Sequence, residues 1–192
     1  MADQTPDLGE KREVKAGSSA VVAGFSIQDL ILIAVLLAAG AVLKLTVATF
    51  FTIAGMRPNF IIAAYCLAIA LTRAKPLPSA IIGLLAGLIC QLPMMAGTPW
   101  LNLVSEPLGG LAMGLLFLVP MHIGKFDAAP AVSTFVATVV SGATYALLAG
   151  LVNGMGLAAI LAAYGIMVLA TAVFNAVLVA ILYIPLKSVL KR

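Results

Sequence analysis

Charge is what this chain has least of. Of 192 residues, 11 are lysine or arginine, seven are aspartate or glutamate and one is histidine. A typical soluble domain carries roughly 25% charged residues. Here the fraction is 9%, against 63% hydrophobic residues and a mean hydropathy of +1.17. That scarcity excludes a soluble globular protein and predicts an integral membrane protein. Six helices of about 20 residues each occupy nearly the whole length, leaving almost nothing for a soluble catalytic domain.

Other absences narrow the chemistry. The two cysteines, Cys66 and Cys90, each lie in an apolar run and offer neither metal spacing nor a disulfide framework. They read as small hydrophobic packing residues. The single histidine, His122, falls in a polar connection. No H-x-x-x-H, nucleophile elbow, P-loop or paired intramembrane aspartates occur. No enzyme, catalytic residue, metal or cofactor is therefore expected.

What is present is a series of apolar stretches separated by proline, glycine and charge. Helices are predicted at Leu30 to Phe51, Asn59 to Thr72, Ser79 to Leu92, Pro107 to Met121, Ala129 to Leu151 and Leu157 to Leu186. The breaks fall at "GMRPN", "RAKPLP", "PMMAGTPWLNLVSEP", "HIGKFDAAP" and "NGMG". Residues 1–28 are polar and read as a flexible cytoplasmic tail, with 29–192 forming the membrane domain. With the tail inside, Lys11, Arg12, Lys15, Arg73, Lys75, Lys125, Lys187, Lys191 and Arg192 collect on one side, leaving Arg57 alone in the outer loops. This bias predicts cytoplasmic termini and a multi-pass protein of the plasma membrane. The pI near 9.3 then reflects topology and attraction to anionic lipid, with no nucleic-acid partner implied.

The second, third and fourth helices span only about 20 to 23 Å at 1.5 Å per residue, short of the ~30 Å hydrocarbon core. Irregular backbone at membrane depth survives only where protein or water meets it. The shortfall therefore predicts a cup, open outward and roofed by the outer loops. Thr134, Thr138, Ser141 and Tyr145 share one face of the fifth helix, and Tyr164, Thr171 and Asn175 one face of the sixth. Such stripes turn toward the bundle, where they bond helix to helix or line the cup.

"GTPWLNLVSEPLGG" brings a carboxylate into this apolar setting. Glu106 precedes Pro107, where a helix N-terminus would stabilise it, so a capping role competes with a binding one. Lys44 lies well inside helix one and must snorkel or find an anion; a Lys44–Glu106 pair is one outcome. Arg57 serves equally as a headgroup anchor. Trp100 is either an interfacial aromatic or a stacking wall. Asn59, Gln91 and Asn102 complete the outer polar cluster. A zwitterionic aromatic ligand would need a carboxylate, a cation and a flat surface, which Glu106, Arg57 or Lys44, and Trp100 could supply, with Asn59, Gln91, Asn102, Tyr145 and Asn175 as further candidates.

Six helices in about 190 residues with both ends inside, and in particular "GMRPNFIIAAYCLAIALTR", "AIIGLLAGLICQLP" and "PWLNLVSEPLGGLAMGLL", resemble the substrate-binding S components of energy-coupling factor transporters, in the tryptophan-transporter-like branch. The resemblance implies a small nutrient ligand, tryptophan-like or a vitamin, a transmembrane coupling protein and two cytoplasmic ATPases. It also implies that Ala34 and Ala38, four residues apart on helix one, form the coupling interface. Two other classes remain open at this stage: a self-sufficient secondary transporter using Glu106 as a proton-coupled carboxylate, and a structural membrane subunit that binds no ligand.

Overall fold

A computed structural model describes residues 25–51, 58–124 and 126–190. Among these, six α-helices follow in order: α1 (Ile27–Thr46), α2 (Phe60–Thr72), α3 (Pro76–Ile89), α4 (Asn102–Leu116), α5 (Ala129–Val152) and α6 (Leu157–Val189). Short 3-10 turns at Val47–Phe51 and Pro99–Leu101 extend α1 and lead into α4. The fold is all-helical apart from a two-residue hairpin, His122–Ile123 against Phe126–Asp127, where the sequence predicts a plain loop. The 1–28 tail lies outside the described residues up to position 24.

Three of the helices, α1, α5 and α6, are long and apolar enough to cross a membrane, with 20, 24 and 33 residues. The other three have 13, 14 and 15 residues. Their shortness follows the sequence expectation, and α2 shows how the fold accommodates it. It is apolar on every face, so no face suits water, and every residue from Phe60 to Leu71 is buried. It touches each of the other five helices. A helix enclosed by its neighbours does not have to match the thickness of a bilayer.

Between apolar helices in lipid, association depends on close packing, because the surrounding chains are as apolar as leucine. Glycine supplies that closeness between α3 and α4, the most intimate pair. A side chain at Gly83 would collide with the main-chain oxygen of Glu106, and one at Gly87 would lie 2.6 Å from that of Asn102. In the reverse direction, Gly114 packs on Ser79, where an added Cβ would come within 2.6 Å of Oγ. Backbone contact along this seam fixes the height of Glu106 relative to α3. Gly40 does the same between α1 and α2, where an added Cβ would stand 2.6 Å from Cβ of Ala64. Lys44 sits one turn further along α1.

Helix boundaries move in two informative places. The α1 helix starts earlier than predicted, because Ser26 and Asp29 form a capping box: Ser26 Oγ accepts from the Asp29 N–H at 3.2 Å, and the Asp29 carboxylate accepts from the Ser26 N–H at 2.9 Å. The α4 helix starts at Asn102, with Pro107 inside it. Glu106 is therefore in the second turn of α4 and does not cap a helix. The proline only removes the helical bond that would reach Leu103.

Candidate functional site

The elements leave a cavity of about 420 Å³ between them, within the range of ~300 to 1,000 Å³ typical of small-molecule sites. Its lining includes Lys44 from the last turn of α1, Asn59 just before α2, the Met94–Thr98 segment after α3, and Asn102 and Glu106 from the start of α4. Thr138, Ser141 and Tyr145 of α5 and Tyr164 and Thr171 of α6 close it. Helices joined by short connections alternate in direction, so these positions belong to one end of the bundle. That end lies opposite the first turn of α1 and the last turn of α6.

Two buried charges face this space. Glu106 has no exposed surface and Lys44 only 3%. The Glu106 carboxylate is held from several sides. Asn59 Nδ2 donates to Oε1, and Ser141 Oγ donates to Oε2 at 3.0 Å. Tyr65, wholly buried on α2, interacts with the same carboxylate through its hydroxyl, although it makes no hydrogen bond of ordinary geometry. A side chain at Gly109 would strike that hydroxyl, so the glycine is what admits it. Asn175 on α6 stands behind, its Nδ2 donating to the Asn59 main-chain oxygen at 3.2 Å and to Thr138 Oγ1 at 3.4 Å.

Lys44 is held by far less. Its Nζ donates to Cys90 Sγ at 3.3 Å, a weak acceptor. Its charge interacts with that of Glu106, yet no hydrogen bond or ion pair joins them among the described residues. The direct Lys44–Glu106 pair that the sequence allowed is not formed.

A polar latch connects the loop to the wall. The Thr98 N–H donates to Tyr145 Oη at 3.2 Å. Gln91 Nε2 and Asn102 Nδ2 both donate to the Pro99 carbonyl, at 2.9 and 3.0 Å. These bonds fix the turn that aims the first residues of α4 at the cavity.

Of the candidates named from sequence, Glu106, Lys44, Asn59, Asn102 and Tyr145 line the cavity. Three do not. Trp100 is 54% exposed and off the lining, because the Pro99–Leu101 turn carries it outward, so it cannot stack on a ligand held here. Gln91 braces the α3–α4 connection, and Asn175 supports Asn59 from behind. Arg57 lies outside the described residues. Ala34 and Ala38 are exposed on α1, while Ile33, Leu37, Gly40 and Lys44 form its buried side.

Tyr65 and Tyr164 were not singled out as site residues. Tyr164 was legible on the polar stripe of α6. Tyr65 sits in an uninterrupted apolar run, where only its hydroxyl distinguishes it. Comparison with known proteins finds no matching family model, curated protein or solved structure.

Proposed function

We propose that this chain is the substrate-binding membrane subunit of an energy-coupling-factor-type importer, taking up a small nutrient, either a tryptophan-like aromatic amino acid or a vitamin. One observation carries the proposal: a cavity of about 420 Å³ with a buried lysine on one side and a buried carboxylate on the other, each fixed to a helix. Lys44, bonded only to a thiol among the described residues, is suited to a ligand carboxylate. Glu106 provides the negative pole for a positive charge, whether the ligand's own or that of a co-bound ion. Tyr145 and Tyr164 offer the flat surfaces that Trp100 does not.

The proposed orientation places both termini in the cytoplasm and opens the cavity outward from the cell membrane. The lysine and arginine distribution supports it. Energy would come from a transmembrane coupling protein and two cytoplasmic ATPases, docking on the exposed Ala34 and Ala38 face of α1, where small residues allow close helix approach.

Replacing Ala34 and Ala38 together by leucine should abolish uptake in cells while leaving ligand binding to the purified protein unchanged. Uptake that survives both this change and removal of the ATPases would instead mark a self-sufficient transporter. Absence of any small-molecule binding would leave only a structural subunit.

A further inference from the structure

Behind Glu106 lie two side-chain oxygens without a partner among the described residues. Asn59 Oδ1 and Asn175 Oδ1 are both enclosed and accept no hydrogen bond. Their orientation is forced. Asn59 turns its Nδ2 to a carboxylate, and Asn175 turns its Nδ2 to the main-chain oxygen of Asn59. Both of those groups only accept, so flipping either amide would set oxygen against oxygen. The hydroxyls alongside are likewise committed as donors: Ser141 Oγ to Glu106 at 3.0 Å and Thr138 Oγ1 to the Thr134 carbonyl at 2.8 Å. Thr138 Oγ1 also accepts from Asn175 Nδ2 at 3.4 Å, which leaves both hydroxyl oxygens with lone pairs to share but no proton to give. The cluster thus combines one carboxylate with two amide oxygens that accept nothing, while the Tyr65 hydroxyl beside it also makes no hydrogen bond of ordinary geometry.

We infer that this cluster binds a monovalent alkali cation of sodium's size, through the Glu106 carboxylate and the carboxamide oxygens of Asn59 and Asn175, with Ser141 and Thr138 hydroxyl oxygens beside them. Hard cations take oxygen ligands, and one carboxylate balances one positive charge. A divalent ion would leave net charge among the helices. No group of three or more His, Cys, Asp or Glu that could hold a metal occurs among the described residues. Lys44 does not fill this role, because it is bonded to Cys90. A ligand ammonium entering from the cavity would meet Glu106 and Asn59, which line it, but not Asn175, which does not. A small ion within the cluster answers both amides. The inference rests on the proposed ligand cavity in one respect: an ion here would fix Asn59 and Glu106 from beneath, so nutrient affinity would follow sodium.

The test uses the full chain in detergent with sodium alone as the probe. Thermal unfolding is compared in sodium chloride and in choline chloride at equal ionic strength, without nutrient. A millimolar site predicts a saturable rise in the midpoint, about 5 °C by roughly 100 mM sodium, with a smaller rise in potassium. Glu106→Gln and, separately, Asn59→Ser should each remove most of the shift. Equal midpoints for the unaltered protein in sodium and choline overturn the inference, including the case where tryptophan stabilises it equally in both salts or a water fills the cluster. A sodium shift undiminished in both variants overturns the placement. Failure of the importer proposal would appear instead in the uptake experiment, and would leave a sodium shift untouched.

Discussion

The two poles of the cavity are built on opposite principles. Around Glu106 converge Asn59, Ser141 and Tyr65, from the start of α2, α5 and α2, with Asn175 behind them. Among the described residues, the only hydrogen-bond partner of Lys44 is a cysteine sulfur. A buried charge must be compensated, and the carboxylate is compensated largely by the protein. The lysine is not. The difference teaches which pole is preassembled and which, on the proposed function, is left for a ligand to complete. It also explains why Glu106 needs the close α3–α4 seam while Lys44 needs only the close approach of α1 to α2 at Gly40.

The largest expected effect falls on the less supported pole. Lys44→Met should weaken nutrient binding by two decades or more, on the order of 3 kcal/mol, since on the proposed function it removes the ligand's counter-charge. Calorimetric titration measures this, and a loss of less than tenfold would erase the distinction between the poles. Glu106→Gln should cost about one to two decades, the worth of a charge-assisted contact, because glutamine keeps much of the hydrogen-bonded frame. Equal affinities for the two proteins would retire Glu106 as a charge-recognition residue. Ser141→Ala removes one of the carboxylate's donors, and a loss of about 1 kcal/mol predicts roughly fivefold weaker binding. Smallest of all, Trp100→Phe should change affinity less than about twofold, within the range expected for a side chain off the cavity. A tenfold loss there would restore the stacking wall that the geometry removes.

Much of the site was legible because charge in apolar sequence is costly. Lys44 and Glu106 stand out for that reason alone, and the step of four, three and four along Thr134, Thr138, Ser141 and Tyr145 marked the face of α5 that turns inward. The start of α4 was not legible. Pro107 resembles a first-turn proline, yet Pro99 opens the preceding 3-10 turn and Pro107 is tolerated inside the helix. That five-residue displacement turned Glu106 from a supposed cap into a side chain within the bundle. The pairing of Asn59 with Glu106 spans 47 residues, and no local pattern announces it. Tyr65 was hidden because α2 is apolar all round and has no face to distinguish. The glycine seam between α3 and α4 was visible as spacing, but which backbone each glycine admits emerges only from the fold.

The most direct measurement is mass spectrometry of small molecules released from gently purified protein, made in parallel on the unaltered chain and on Lys44→Met. A cavity completed by its ligand predicts a single small molecule bearing a carboxylate, near stoichiometric with the unaltered chain and lost from the variant. No released molecule from the unaltered chain, or one retained in equal amount by Lys44→Met, would contradict a binding site built around these two poles.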